Sequence, residues 1–110
     1  MKRIIIVLTI AILHSATVNA QLNIPPVSPD AEFKQQIGFG EVEIKYSRPS
    51  ARGRVIFGGL EPYGQMWRTG AHDATTIRFS EAVKLNGNDI PAGTYSLFTI
   101  PNQNEWTIII

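Results

Sequence analysis

The chain has 110 residues, no cysteine and a formal net charge of +1 at pH 7. A protein of this size has room for one small domain, and without cysteine its stability cannot come from disulfide bonds. The balance of charges also lacks the strong basic excess that is typical of nucleic-acid-binding proteins, so we expect no nucleic-acid partner.

The N-terminal segment, residues 1–20, has the pattern of a secretory signal peptide. Lys2 and Arg3 precede an uncharged apolar run over residues 4–13, and small residues end at Ala20 where a signal peptidase would cut. A membrane anchor is the weaker interpretation, because spanning a bilayer core takes roughly 20 apolar residues. A lipoprotein anchor would need a cysteine at the cleavage point. We therefore expect export to the periplasm or the cell surface after cleavage at Ala20.

Cleavage would leave eight basic and nine acidic residues, a net charge of −1. The first part of this mature chain, residues 21–30, contains three prolines. Proline cannot donate a backbone hydrogen bond and holds the chain extended, so we expect a leader that lies along the domain. The single domain is then expected over residues 31–110.

Two strands are predicted at the start of this domain. A short strand fits residues 31–36, and a turn follows at Gly38 to Gly40. After the turn, apolar Val42, Ile44 and Tyr46 alternate with charged residues, which predicts a half-buried antiparallel strand. Pro49 ends this strand, because it cannot donate to a neighbour.

Further strands are predicted after residue 76. Ile77 and Phe79 alternate with polar residues, and a break in phase at Glu81 and Ala82 predicts a β-bulge. Asn86 and Gly87 predict a hairpin with a type I′ turn, which needs positive φ at both central residues.

The last two predicted strands cover residues 95–100 and the segment from Trp106 to Ile110. Apolar residues occur on both faces of the first, which predicts burial on both sides, with Trp106 packing against it. No segment shows sustained helical periodicity, so the predicted fold is all-β, an antiparallel sandwich or an incomplete barrel. Because the sequence stops within an apolar strand, we expect either a C-terminal truncation or a partner strand that pairs with Trp106 to Ile110.

The segment most typical of a functional site is the long connection over residues 46–76. It contains four arginines and two acidic residues, a local charge of +2, and the only histidine of the mature chain. Long connections on a rigid scaffold commonly carry function. The candidate ligand-binding residues are Tyr46, Arg48, Arg54, Tyr63, Trp67, Arg68, His72 and Asp73.

These side chains favour binding over catalysis. Aromatic faces and guanidinium forks suit a polar small molecule or a glycan. The structural alternatives are that Trp67 plugs one end of the fold, and that Arg48 and Arg54 pin the connection to the sheet through carbonyl oxygens. Other arginines would then simply pair with surface carboxylates.

Catalytic and metal-binding signatures are weak. His72 and Asp73 are adjacent, and adjacent side chains on an extended segment point to opposite faces. No Gly-x-Ser-x-Gly motif occurs, and one histidine with scattered carboxylates predicts neither a metal site nor a cofactor. The alternative function is a hydrolase acting on a cell-envelope or glycan substrate, with His72 and Asp73 as acid and base and Arg68 stabilising an anion.

Several uncommon motifs occur in a characteristic order. They are Tyr46-Ser47-Arg48-Pro49, Gly53-Arg54, Pro62-Tyr63-Gly64, Trp67-Arg68-Thr69-Gly70-Ala71, Ala92-Gly93-Thr94-Tyr95 and Glu105-Trp106-Thr107. In these motifs the chain resembles the DUF2911 family over nearly all of its mature length. The resemblance implies an exported protein, mainly of Bacteroidetes, without an assigned activity. It also implies that members continue beyond Ile110. His72 and Asp73 depart from the family pattern, in which many members have asparagine at this point.

Overall fold

The computed structural model of the protein describes Leu22 and residues 24–110. The predicted signal peptide, residues 1–20, lies outside the described residues. The described part has seven β-strands and no helix. They are β1 (Asp30–Ile37), β2 (Gly40–Ser47), β3 (Thr75–Phe79), β4 (Val83–Leu85), β5 (Asn88–Ile90), β6 (Gly93–Pro101) and β7 (Trp106–Ile109).

Five of the strands form one antiparallel sheet in the order β1-β2-β3-β6-β7, and β4 pairs with β5 in a separate two-stranded sheet. The all-β, antiparallel prediction is therefore confirmed. The five-stranded sheet is open, because β1 and β7 lie at its two edges and do not pair with each other.

The first hairpin is regular along its whole length. Every residue of β1 pairs with β2, from Asp30 opposite Ser47 to Ile37 opposite Gly40. The first strand is therefore one residue longer at each end than the predicted 31–36. Ser47 Oγ also donates to Asp30 Oδ1 at 2.8 Å, which ties the two strands together at their open end.

The register divides the sheet into an apolar and a polar face. Ile44 lies opposite Ile77, which in turn lies opposite Tyr95, and all three share the apolar face. Phe79 is the most deeply buried large side chain on that face, at 4% exposure, and its ring centroid is 6.1 Å from that of Tyr95. The core of the described domain therefore lies where β2, β3 and β6 meet.

The prediction that β6 is buried on both faces was wrong. Thr94 and Ser96 are exposed, whereas Thr99 and Pro101 are buried. Thr94 and Ser96 lie opposite Arg78 and Thr76, on the polar face of the sheet. On that face Ser96 is therefore exposed, while Phe98 and Ile100 are only partly buried.

The predicted bulge at Glu81 and Ala82 was also wrong, because the chain leaves the five-stranded sheet at this point. Ser80 anchors the departure: its Oγ accepts a hydrogen bond from the Glu41 N–H at 2.7 Å, and its own N–H donates to the Glu41 carbonyl at 3.0 Å. The apolar pattern then resumes in β4, which belongs to the smaller sheet.

The hairpin that joins β4 to β5 has the predicted turn. Asn86 has φ of 48° and Gly87 has φ of 83°. Positive φ at both central residues is the mark of a type I′ turn, which matches the twist of the flanking strands.

Candidate functional site

The connection between β2 and β3, residues 48–74, is held against the sheet by backbone hydrogen bonds. The Gly64 N–H donates to the Pro101 carbonyl at 3.0 Å. Trp67 and Thr99 exchange two bonds, Trp67 N–H to Thr99 at 2.7 Å and Thr99 N–H to Trp67 at 2.9 Å. The connection therefore forms an isolated antiparallel β-bridge with β6, at Trp67 and Thr99, before the chain enters β3.

Within this connection, Arg54 holds a turn of its own segment. Its Nε donates to the Ala51 carbonyl and its Nη2 to the Ser50 carbonyl, each at 2.9 Å. The structural alternative for Arg54 is therefore partly correct: the side chain does bond to carbonyl oxygens, but these belong to the connection and not to the sheet. A guanidinium has five N–H donors, so three remain available.

Trp67 belongs to an aromatic cluster with Phe57 and Trp106. The ring centroids lie 5.7 Å apart for Phe57 and Trp67, 4.7 Å for Phe57 and Trp106, and 6.3 Å for the two tryptophans. All three pairs meet edge to face, the favoured geometry for aromatic rings. Trp106 thus packs against the connection and remains 44% exposed.

The last part of the connection, residues 69–74, is a strained loop closed by hydroxyl groups. Thr75 donates its N–H to Arg68 at 3.1 Å and its Oγ1 to the Thr69 carbonyl at 2.8 Å. Thr69 Oγ1 lies 3.0 Å from Thr99 Oγ1. Thr69 and His72 have φ of 60° and 58°, a conformation that costs energy for residues with a side chain, above all for a β-branched one.

Gly70 fits this loop tightly onto the end of β2. A Cβ at this position would lie 3.2 Å from the Ser47 carbonyl oxygen and 3.3 Å from Thr75 Oγ1. Only glycine allows so close an approach without movement of the neighbouring atoms. The loop is therefore held in a fixed position against the end of β2. Two cavities lie on either side of it.

The first of these, the arginine cavity, has a volume of about 340 Å³. Its charged residues are Arg52, Arg54, Arg68 and Glu61, a net charge of +2. Trp67, Ile56 and Leu60 supply apolar wall, and Gly70 and Ala71 of the strained loop complete one side. The volume lies within the range of small-ligand sites.

The second, the β1–β2 cavity, has a volume of about 490 Å³. It is lined by Pro26, Ser28, Asp30, Ala31, Glu32, Lys45, Tyr46, Ser47, His72, Asp73, Ala74 and Thr76. Ser28 of the leader, which is buried, also lines the arginine cavity. The two cavities therefore lie side by side, on either side of the loop 69–74.

The candidate residues from the sequence are divided between these cavities. Arg54, Trp67 and Arg68 line the arginine cavity, whereas Tyr46, His72 and Asp73 line the β1–β2 cavity. Arg48 and Tyr63 line neither one, and no single site contains all eight. Arg48 instead donates its backbone N–H to the Pro29 carbonyl at 2.9 Å.

Sequence reasoning missed lining residues of two kinds. Arg52 and Glu61 lie within the predicted segment and were included in its local charge of +2, but they were not among the candidate binding residues. Ser28 and Glu32 reach the cavities from the leader and from β1. The sequence contains no signal for their role, because it depends on where the leader crosses the end of the sheet.

His72 and Asp73 lack the contacts of a catalytic pair. Across Leu22 and residues 24–110, neither side chain has a hydrogen-bonding or ion-pairing partner. The same residues contain no group of three His, Cys, Asp or Glu side chains that could hold a metal ion.

A charged network borders the β1–β2 cavity on the polar face of the sheet. Lys34 Nζ lies 2.7 Å from Glu32 and 3.0 Å from Glu43, and Lys45 Nζ lies 3.0 Å from Glu43 and 3.5 Å from Glu32. The hydrogen bonds from Lys34 lower the pKa of both glutamates. Donating hydrogen bonds to Glu32 and Glu43 raises the pKa of Lys34, and donating one to Glu43 raises that of Lys45.

The chain matches the model of a known protein family. The model of the DUF2911 family, whose members are described as proteins of unknown function, matches residues 28–110. The chain belongs to the DUF2911 family. The DUF2911 match confirms the family resemblance seen in the sequence motifs. It covers every lining residue of each cavity except Pro26 and Val27, so both cavities are features of the family region.

No curated protein and no solved structure gives a significant match to the chain. The described residues contain no helix that could span a membrane.

Proposed function

We propose that this protein binds an anionic polar small molecule or an acidic glycan in the arginine cavity. The observation that carries the proposal is that Arg52, Arg54 and Arg68 line one cavity together with Trp67. Arg52 and Arg54 are separated in sequence from Trp67 and Arg68. The turn at 50–54 and the Trp67–Thr99 pairing bring the two pairs together.

The arginines have donors to spare for a ligand. Arg52 and Arg68 form no ion pair within the described residues, and Arg54 uses only two of its N–H groups. A planar guanidinium can donate two parallel hydrogen bonds to one carboxylate or phosphate. The net charge of +2 would attract an anion at long range, and salt would weaken this attraction.

The other lining residues favour a sugar-like ligand. Trp67 and Leu60 offer apolar surface, which matches the C–H faces of a sugar ring. Glu61 adds a carboxylate that can accept hydrogen bonds from hydroxyl groups. A uronate combines all three features, because it has a carboxylate, hydroxyls and an apolar ring face.

We also propose that the protein works in the periplasm or at the cell surface. The signal-peptide pattern of residues 1–20 supports this placement. Acidic glycans of the cell envelope or its surroundings would then be within reach.

Titration calorimetry with galacturonate, and with neutral galactose as the control ligand, tests the proposal. Galacturonate should bind and galactose should bind at least about tenfold more weakly, because it lacks the anion. Arg68→Gln should weaken galacturonate binding about five- to tenfold. Arg48→Gln is the matched control, since Arg48 is an exposed arginine of the same connection that does not line the cavity. Equal effects of the two substitutions, or no binding at all, would refute the proposal.

The alternative function, a hydrolase that uses His72 and Asp73, is supported by one observation: both residues line the larger β1–β2 cavity. Turnover of an envelope-derived glycan, abolished by His72→Ala and retained in Arg68→Gln, would favour this alternative. Binding of galacturonate without turnover would favour the binding protein.

A further inference from the structure

The outer edge of β1 is long, regular and open. All eight residues from Asp30 to Ile37 pair with β2, and the strand contains neither a proline nor a bulge. In the described part of the chain no strand pairs with its other side. Natural edge strands are usually shortened, bent or covered, because an exposed row of backbone donors and acceptors pairs readily with another strand.

From Asp30 to Lys34, the side chains of β1 alternate between charged residues on one face and apolar residues on the other. Phe33 and Ile37 lie on the apolar face and are 52% and 63% exposed. Glu32 and Lys34 lie on the polar face, with side chains that are 43% and 49% exposed. A lysine such as Lys34 usually discourages another strand from pairing with an edge strand. Here Glu32 lies beside it and can attract a positive side chain of an incoming strand.

This alternation makes the strand complementary to itself. When two copies pair antiparallel around a two-fold axis through Phe33, each Glu32 lies opposite the Lys34 of the other copy. The overlap spans residues 30–36 of each strand, and both sheets keep their apolar faces on the same side. An axis through Glu32 or Lys34 would instead place like charges opposite each other, which is unfavourable.

We propose that two copies of the protein pair through β1 in this register and form a continuous antiparallel sheet. The occupant of the edge is a second copy, because its Lys34 and Glu32 complement the Glu32 and Lys34 of β1. The pairing goes beyond ligand binding, and it uses the edge of the sheet opposite to β7.

Cysteine cross-linking tests both the pairing and its register. Directly opposed residues have Cα atoms about 4.5–5.5 Å apart, a separation that a disulfide can bridge. The natural chain has no cysteine, so Phe33→Cys introduces one thiol on the proposed axis. Gln35→Cys is the control on the same face, and its own copy would lie about 13 Å away along the strand.

Under mild oxidation, Phe33→Cys should form a disulfide-linked dimer at least about tenfold faster than Gln35→Cys. Equal rates, a faster Gln35→Cys reaction, or no cross-link in either variant would overturn the proposal.

Charge reversal gives an independent test that keeps Phe33. Glu32→Lys alone and Lys34→Glu alone should each shift the protein to monomer in sedimentation, because like charges then face each other. An equal mixture of the two variants should restore a dimer. The double variant that carries both Glu32→Lys and Lys34→Glu should also dimerise. Circular dichroism of each variant verifies that the sheet is intact. Dimers in both single variants, or folded monomers in the mixture, would contradict the proposed register.

Discussion

Trp67 and Thr99 pair through two backbone hydrogen bonds of 2.7 and 2.9 Å, which attach the connection 48–74 to β6. The same Thr99 uses its side chain to contact Thr69 Oγ1 at 3.0 Å. A single residue of β6 therefore supports both the aromatic wall of the arginine cavity and the strained loop beside it. This arrangement makes the geometry of the cavity dependent on the sheet.

Thr99→Val should destabilise the protein by about 1–2 kcal/mol. The substitution keeps the shape of the side chain but leaves the Thr69 hydroxyl without this partner near a buried position. Urea denaturation measures the change. Thr94→Val is the control, because Thr94 is exposed on the same strand. A loss of equal size in the control would show that strand propensity, and not the hydroxyl contact, is responsible.

Gly70→Ala should move the loop 69–74 and cost about 1–3 kcal/mol, since the new methyl group meets the Ser47 carbonyl oxygen at 3.2 Å. Because Gly70 lines the arginine cavity, galacturonate binding should weaken as well. Gly40→Ala is the control, where the nearest atom to the new Cβ is Ser80 Oγ at 3.4 Å, an ordinary contact. Unchanged stability and affinity in Gly70→Ala would show that the loop is free to adjust.

Stability should fall at both ends of the pH scale because of the network of Glu32, Lys34, Glu43 and Lys45. The pKa values of both glutamates lie below the ordinary value of 4.5, so their contribution is present above pH 4.5 and is lost as pH falls through the lowered pKa values. The pKa values of the lysines lie above 10.5, so their contribution is present below that pH and is lost as pH rises further.

Urea midpoints measured between about pH 2 and about pH 12 check this expectation. Glu43→Gln should flatten the acidic limb, since Glu43 bonds both lysines, whereas Glu105→Gln should leave that limb unchanged. High salt should weaken the effect, because the side chains of Glu32, Lys34 and Lys45 are exposed. If the stability of Glu43→Gln falls as steeply at low pH as that of the unaltered protein, other groups are responsible for the acid sensitivity.

Phe57→Leu should loosen the aromatic cluster and shift the tryptophan emission to longer wavelength. Phe57 touches both rings, and the chain has two tryptophans, both in this cluster, so tryptophan fluorescence reports on it alone. We expect a loss of stability of about 0.5–1.5 kcal/mol from the edge-to-face contacts. Tyr63→Leu is the control, and an emission shift of equal size there would indicate a general change of the connection.

Local patterns in the sequence predicted much of the sheet. Alternation identified β2, and the dipeptide Asn86-Gly87 identified the turn between β4 and β5, because each signal depends on neighbours in sequence. The burial of β6 was predicted wrongly, since an apolar residue on a strand does not show whether a second layer covers it. The phase break near Glu81 likewise indicates a change of direction without showing that the strand enters another sheet.

The sequence predicted which segment would contain the candidate site, but it did not predict which side chains of that segment lie together. Several arginines and aromatic residues of 46–76 line cavities, yet Arg48 and Tyr63 do not. His72 lies within the strained loop and lines a different cavity from Arg68. Which side chains converge depends on the Trp67–Thr99 pairing and on the position of Ser28. Both are long-range contacts that no local pattern encodes.

The distance in sequence between β2 and β3 has a consequence for the order of folding. The β1–β2 hairpin closes over a short turn, whereas pairing Ile44 with Ile77 requires closure of the whole connection between them. Loop closure costs more entropy for longer loops, and non-local strand pairing is correspondingly slow. We therefore expect the hairpin to form early and the two cavities to be completed last, so that a ligand meets its site only in the fully folded protein.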